Sequence, residues 1–214
     1  MRSLLDLLLP VDCAGCGRPG VGWCACCAPA LAGPPVRIRP RIDPGVPCWA
    51  LGSYTGPVRR AVLAAKERGR RDLAEPLGVA LAGGLAELRS PRRPLILVPA
   101  PSRALAARRR GGDPVLRAAR VAARSLSDSS VLPVLRVGRG VRDSVGLTSA
   151  ERVRNLGGRV TTTPGRAAAW AAWADAEIVV VDDVLTTGAT VRESVHALYR
   201  SGLPTHGVLV TCAA

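Results

Sequence analysis

Hydrophobic positions along the chain form short unbroken runs separated by stretches of helical periodicity. Residues 95–98, 178–181 and 208–210 are continuous apolar runs without polar alternation. Such runs are typical of strands buried on both faces, as in a parallel sheet. Between the last two runs, apolar residues recur at helical spacing over 191–198, and Gly202 is predicted to end that helix. The pattern predicts a strand–helix–strand unit and an α/β fold.

Other segments carry the signals of further helices and strands. Pro57 is predicted to begin one helix, and residues 72–88 are predicted to form a second. Asp113 followed by Pro114 is typical of a helix N-terminus, with the acid as cap and proline in the first turn. Residues 134–137 are predicted to form another strand.

Two adjacent carboxylates, Asp182 and Asp183, follow the strand predicted at 178–181. The loop after them consists of Thr186, Thr187, Gly188, Ala189 and Thr190. Thr190 and Glu193 have the spacing of a capping box, which predicts that a helix begins here. Hydroxyl groups, a flexible glycine and free N–H groups at a helix N-terminus together suit a phosphate.

Carboxylates beside a phosphate repel it unless they have other ligands. They are suited to sugar hydroxyls or to a hard cation such as Mg²⁺. A ligand with a phosphate, a vicinal diol and a metal therefore satisfies every part of this segment. The alternative is an acidic strand end before a capped helix, in which neither Asp182 nor Asp183 has a structural task.

Three further polar segments are candidates for the same site. A loop beginning Pro99, Ala100 and Pro101 follows the strand at 95–98, and a basic turn at 108–110 comes after it. Arginines there would suit a pyrophosphate, and the alternative is a solvated basic turn. The long polar loop over 139–158 is typical of a lid that excludes water, and the alternative is a mobile surface loop.

Four of the seven cysteines form two C-x-x-C pairs, namely Cys13, Cys16, Cys24 and Cys27. Two such pairs predict a tetrahedral Zn²⁺ site, and four thiolate ligands leave no open position, so the predicted role is structural. Cys26 lies inside the second pair and competes with Cys24 or Cys27, although the outer two are preferred. Cys48 and Cys212 are interpreted as ordinary buried cysteines.

The formal charge is +14, from 30 lysine and arginine residues against 16 acids. This charge favours polyanionic partners, although codon bias toward arginine is a rival explanation. Lys66 is the single lysine, which makes it a candidate for a role that arginine cannot fill. Residues 1–9 are interpreted as a short amphipathic helix rather than a membrane span or signal, and the expected location is cytoplasmic.

The segment VVVDDVLTTGAT, residues 179–190, closely resembles the signature of type I phosphoribosyltransferases, which bind phosphoribosyl pyrophosphate (PRPP). Other motifs precede it in the chain: the four cysteines, Lys66-x-x-Gly69, Val98-Pro99-Ala100-Pro101, Arg110-Gly111, and Leu147-Thr148 through Arg152 to Asn155. In this order the motifs resemble those of the ComF family, which includes ComFC-type competence proteins and GntX-like proteins. The resemblance covers nearly the whole chain.

The resemblance implies a Rossmann-like type I phosphoribosyltransferase fold with a parallel sheet, plus a small N-terminal zinc-finger module. The implied PRPP site consists of Asp182, Asp183, Thr186, Thr187, Gly188, Ala189, Thr190, Pro99, Ala100, Pro101 and Arg110. Mg²⁺ would accompany PRPP, and the implied lid carries Arg142, Leu147, Arg152 and Asn155. Lys66 joins the two acids as a catalytic candidate. The expected domains are 1–31 (helix and zinc module), 32–47 (a linker rich in proline, glycine and arginine) and 48–214 (the phosphoribosyltransferase-like domain).

Two functions of different classes are consistent with these expectations. In the first, the protein is an Mg²⁺-dependent phosphoribosyltransferase that releases pyrophosphate, with an unknown acceptor and a link to DNA uptake or nucleotide metabolism. In the second, it is a non-catalytic, PRPP-responsive competence protein that binds single-stranded DNA and acts with DNA-uptake machinery proteins. Aromatic residues make up 3% of the chain, so any DNA binding is expected to be mainly electrostatic.

Overall fold

The structure is a computed structural model of the chain, and it describes residues 11–102, 112–138, 158–163 and 175–214. Several predicted features lie outside the described residues: the helix at 1–9, the basic turn that includes Arg110, and the lid residues Arg142, Leu147, Arg152 and Asn155. Those predictions stay predictions.

Eight strands and four α-helices are formed by the described part of the chain. The strands are β1 (Val36–Ile38), β2 (Cys48–Ser53), β3 (Leu95–Pro99), β4 (Ser129–Val131), β5 (Leu135–Val137), β6 (Val160–Thr162), β7 (Glu177–Leu185) and β8 (Gly207–Ala213). The helices are α1 (Gly56–Glu67), α2 (Ala74–Leu88), α3 (Pro114–Arg124) and α4 (Ala189–Arg200). Two short 3₁₀ turns cover Ala28–Leu31 and Arg71–Leu73.

Six strands form one central sheet in the order β1-β2-β8-β7-β3-β4. Every neighbouring pair in it is parallel except β1 and β2, which are antiparallel. Strands β5 and β6 form a separate antiparallel pair. The prediction of an α/β fold with a parallel sheet is confirmed at this level.

The sheet is buried on both faces, as the continuous apolar runs predicted. On β7, Val179 and Val181 belong to a core cluster shared with α1, α2 and α3. Their neighbours Ile178 and Val180 belong to a second cluster that includes α4. Successive side chains on a strand point to opposite faces, so an unbroken apolar run is needed wherever helices cover both sides.

The segment at 32–47, which the sequence predicted as a linker, includes strand β1. Val36 lies opposite Ala50 and Ile38 lies opposite Cys48, so this segment adds an antiparallel edge to the sheet. Proline and arginine around a strand are compatible with an edge position, because an edge strand leaves one side of its backbone unpaired. The proline and arginine residues around β1 are the reason that the sequence did not predict this strand.

No helix in the described ranges is both long enough and apolar enough to cross a membrane.

Replacing Gly78 with alanine is expected to destabilise the protein by about 1–3 kcal/mol, because the added methyl group would overpack the contact between α2 and α3. That methyl group would overlap the side chain of Val121 and lie 2.7 Å from the carbonyl oxygen of Ala118. Gly83, in the same helix, faces open space. Gly83→Ala is therefore the control, and it should stabilise by roughly 0.5–1 kcal/mol. Denaturant unfolding measures both, and equal effects would contradict this packing.

Candidate functional site

The central sheet changes winding direction between β3 and β7. From β3 the chain passes through α3 to β4 on one side, and from β7 it passes through α4 to β8 on the other. Helices α3 and α4 belong to the core clusters on opposite faces of the sheet. In open α/β sheets, ligands bind in the crevice at such a switch point, beyond the carboxyl ends of the strands.

Asp182 and Asp183 lie at this crevice, on the last part of β7. Pairing of β7 with β3 ends at Val181, opposite Pro99, whereas pairing with β8 continues to Leu185. The sequence placed the two acids beyond the end of the strand, and that placement is wrong: they lie within it. Because β3 ends first, the acids are paired on one side only and border the open crevice.

Lys66 meets the acid pair from the last turn of α1. Its Nζ lies 3.0 Å from Oδ1 of Asp183, across 117 residues of sequence. Gly69 has a φ of +65° and follows the helix end, where the N–H of Arg70 donates to the carbonyl of Ala64. The spacing of Lys66 and Gly69 therefore has a local structural cause. Glycine readily adopts the left-handed backbone that ends the helix, and it does so three residues after the lysine.

Burial and charge shift the ionisation of these groups in opposite ways. Burial raises the pKa of Asp182 to about 8, and the charge of Asp183 adds to this effect while Lys66 opposes it. Burial acts to lower the pKa of Lys66, but the carboxylates of Asp183 and Asp182 outweigh it and raise the pKa. Lys66 therefore stays an ammonium at neutral pH, and the pKa of Asp182 lies within about one unit of neutral pH.

The threonine- and glycine-rich loop connects β7 to α4. Gly188 is the residue before the helix and has a φ of +89°, in the left-handed region that favours glycine. Thr187 is buried, and its Oγ1 accepts a hydrogen bond from the N–H of Ala189 at 3.3 Å. Thr186 is exposed, and Thr190 lies in the first turn of α4. The loop thus brings the amino end of α4 to the same end of the sheet as the acids.

The predicted capping box of Thr190 and Glu193 is wrong. The helix begins after Gly188, so glycine rather than Thr190 is the N-cap residue and contributes no side-chain cap. The buried carboxylate of Glu193 instead accepts a hydrogen bond from the N–H of Gly158 at 2.7 Å. The sequence spacing missed this contact because Gly158 is 35 residues away.

Residues after β3 form the other side of the crevice. The N–H of Ala100 donates to the carbonyl of Val181 at 2.8 Å, which holds the Pro99–Ala100–Pro101 segment beside β7. Ser102 donates through its hydroxyl to Asp113 at 2.5 Å. As predicted, Asp113 caps α3, accepting bonds from two backbone N–H groups of the first turn.

A small apolar cleft adjoins Asp182 and Asp183. Its other lining residues are Val62, Ala65, Leu77, Leu81, Pro114, Val115, Ala118 and Thr211. The sequence did not mark Thr211 as a site residue, and nothing local distinguishes it from other strand residues. Cys212, its neighbour, donates weakly to the backbone oxygen of Asp183 at 3.5 Å.

The four cysteines of the two C-x-x-C pairs form a second candidate site. The sulfur atoms of Cys13, Cys16, Cys24 and Cys27 all lie within 4.8 Å of one another. In a tetrahedral Zn²⁺ site with bonds of about 2.3 Å, sulfur atoms are about 3.8 Å apart, so this cluster could hold a metal ion. Cys26 is exposed and is not a member of this group, which agrees with the preferred choice of the outer two cysteines.

The pKa values of the clustered thiols are also consistent with a bound cation. Burial acts to raise the pKa of Cys13, but backbone N–H groups from Cys24, Cys16 and Gly15 outweigh it and lower the pKa to about 6. Burial and the neighbouring cysteines raise the pKa of Cys27. Four close thiols cannot all ionise alone, whereas a divalent cation bound to them favours four thiolates.

This cysteine module, residues 11–31, packs against α1. Arg60 of α1 donates to the carbonyl of Gly15 at 2.5 Å, and Arg70 donates to the carbonyl of Asp12 at 3.0 Å. A methyl group at Gly15 would lie 2.6 Å from the sulfur of Cys27. The module is therefore joined to the helix that carries Lys66.

No family model matches the chain, and no curated protein matches it significantly.

Protein purified under reducing conditions is expected to contain one Zn²⁺ per chain. Cys24→Ser should reduce the metal content strongly, because a four-thiolate site would lose one ligand. Cys26→Ser is the matched control and should leave the content unchanged, since this side chain is exposed and outside the cluster. Elemental analysis of the three proteins measures the effect. Metal-free protein that is still folded would contradict the assignment.

Asp182→Asn is expected to stabilise the ligand-free protein at pH 8 and to have little effect at pH 4. The folded-state pKa of Asp182 is raised from 3.8 to about 8, so folding retains a proton that the unfolded chain releases in this window. Stability is therefore lost as pH rises between these values, by up to about 1.4 kcal/mol per pH unit, and an uncharged asparagine avoids that loss.

Asp183→Asn is the comparison variant, because it removes the partner of Lys66 and should be destabilising at pH 8. Thermal unfolding across the pH range gives both results. Identical pH dependence for wild type and Asp182→Asn would refute the raised pKa.

Proposed function

We propose that this protein is a PRPP-binding member of the ComF family that transfers the 5-phosphoribosyl group and releases pyrophosphate. The observation that carries the proposal is the position of Asp182 and Asp183. They border the switch point of the sheet and lie directly before the loop that leads to the amino end of α4, and Asp183 forms an ion pair with Lys66. The sequence around them, residues 179–190, is the segment that resembles the PRPP signature.

The finer fold assignment is part of the same proposal. A Rossmann-like type I phosphoribosyltransferase fold is supported by the mostly parallel sheet, the helices on both faces and the switch point between β3 and β7. A crevice at that position is where such folds bind nucleotide-like ligands.

Each part of PRPP has a proposed partner in this crevice. The carboxylates of Asp182 and Asp183 accept hydrogen bonds from the two ribose hydroxyls. The 5-phosphate binds the backbone N–H groups and hydroxyls of the 186–190 loop, where the positive end of the helix dipole favours an anion. The Pro99–Ala100–Pro101 segment borders the pyrophosphate side of the crevice, and Arg110 is proposed to contribute there.

Magnesium is proposed to arrive with PRPP, and the two acids are suitable oxygen donors for it. When bound, Mg²⁺ would neutralise charge that develops on the departing pyrophosphate. Lys66 lies beside the two acids as an ammonium, 3.0 Å from Oδ1 of Asp183. We propose that it faces the anionic ligand and helps to stabilise the leaving group.

In the proposed reaction, a nitrogen atom of the acceptor forms a bond to C1 of the ribose. The bond from C1 to the pyrophosphate oxygen breaks, pyrophosphate leaves with the electron pair, and the proton lost by the attacking nitrogen passes to solvent water. Catalysis would consist of positioning and of stabilising an oxocarbenium-like state. The cysteine module is proposed to hold a structural Zn²⁺, because four thiolate ligands leave no open coordination position.

A second candidate function is binding of single-stranded DNA without phosphoribosyl transfer. It is favoured by exposed arginines along the sheet edge, Arg37, Arg39 and Arg41, and by the formal charge of +14. A protein of this kind would respond to PRPP and act with DNA-uptake machinery. Its DNA affinity would fall steeply with salt, because release of counterions from phosphates dominates such binding.

PRPP with Mg²⁺ is expected to bind the wild-type protein, and the Asp182→Asn, Asp183→Asn double variant should bind it much more weakly. Each lost charge-assisted hydrogen bond should cost on the order of 1.5–3 kcal/mol. Calorimetry measures both affinities. Equal affinities would refute the assignment of the two acids.

Lys66→Arg should keep the fold and the PRPP affinity but lose turnover, because a broad guanidinium does not replace a compact ammonium. Pyrophosphate release with candidate acceptors is the assay. Unchanged release would show that this lysine has no special role. Absence of release from wild type with every acceptor, together with salt-sensitive DNA binding, would favour the second candidate function.

A further inference from the structure

The segment 39–44, here called the strap, crosses the back of the threonine- and glycine-rich loop. The N–H of Ile42 donates to the carbonyl of Thr187 at 2.9 Å. The strap also packs on Gly188: a methyl group there would lie 2.5 Å from the carbonyl oxygen of Ile42 and 2.8 Å from Cβ of Pro40. The loop is thus held by a part of the chain that the sequence predicted as a linker.

Ordered structure holds the strap at both of its ends. Before it, β1 is paired with β2 through Ile38 and Cys48. After it, Val46 packs against the core cluster that contains α4, and Pro44 within the strap is itself buried. The strap therefore presents the N–H of Ile42 from a fixed position.

The direction of this hydrogen bond determines which way the loop backbone faces. A trans peptide is planar, and its C=O and N–H point in opposite directions. Since the carbonyl of Thr187 points toward the strap, the N–H of Gly188, in the same peptide, points away from it. Glycine adopts either sign of φ at little cost, so this peptide would otherwise be free to turn over.

We propose that Ile42 is a positioning residue, whose backbone N–H fixes the Thr187–Gly188 peptide so that the Gly188 N–H faces the ligand. The inference rests on the proposed function for the identity of that ligand, the 5-phosphate of PRPP. The strap, which connects β1 to β2, thereby supports the proposed phosphate site from behind the loop.

Two substitutions separate the backbone contact from the side chain. Ile42→Pro removes the N–H donor, and Ile42→Ala removes most of the side chain while keeping the donor. Ile42→Pro should weaken PRPP binding with Mg²⁺ by about tenfold, the value of one hydrogen bond, whereas Ile42→Ala should bind as wild type. If Ile42→Pro does not fold, replacing Ile42 by its α-hydroxy acid gives an ester that lacks the same N–H but keeps the side chain.

Hydrogen exchange of the ligand-free protein gives an independent reading. The Arg192 amide donates to the carbonyl of Gly188 at 2.9 Å, so its exchange should accelerate in Ile42→Pro or the ester but not in Ile42→Ala. Unchanged exchange and affinity in the variants without the N–H would overturn the proposal, as would equal losses in Ile42→Ala. A wild-type protein that binds no PRPP would overturn the proposed function, whereas the exchange contrast judges the strap by itself.

Discussion

The ion pair between Lys66 and Asp183 is the contact on which the arrangement of the site depends. Two adjacent carboxylates at the end of a buried strand repel each other, and burial raises the pKa of Asp182. A single ammonium 3.0 Å from Asp183 opposes both effects and joins α1 to β7. Because α1 also contacts the cysteine module through Arg60, the helix that carries Lys66 is joined to both the crevice and the N-terminal residues.

The candidate site contains groups that lower the stability of the ligand-free protein. The raised pKa of Asp182 means that the empty protein holds an acid that a ligand would prefer ionised. The loop before α4 has a similar character, since its conformation depends on the left-handed backbone of Gly188 and on a hydrogen bond from the strap. Under the proposed function, ligand hydroxyls and a phosphate would bind these two groups, whose positions the protein provides in advance.

Features with local causes were predictable from the sequence, and features that depend on distant pairing were not. Continuous apolar runs predicted β3, β7 and β8, and an aspartate followed by proline predicted the start of α3 at Asp113. Strand β1 was missed because proline and arginine flank it in the sequence, and its strand conformation depends on pairing with β2. The capping box failed because Glu193 has a partner in Gly158, far away in the chain. Lys66 was selected by its rarity, but its contact with Asp183 required the fold.

A crystal structure of the protein with PRPP and Mg²⁺ is the most direct test of the central claim. The account predicts ribose hydroxyls at the carboxylates of Asp182 and Asp183, and the 5-phosphate at the backbone N–H groups that begin with Gly188. PRPP bound elsewhere on the protein, or a crevice that stays empty at saturating PRPP with Lys66 still paired to Asp183, would contradict it.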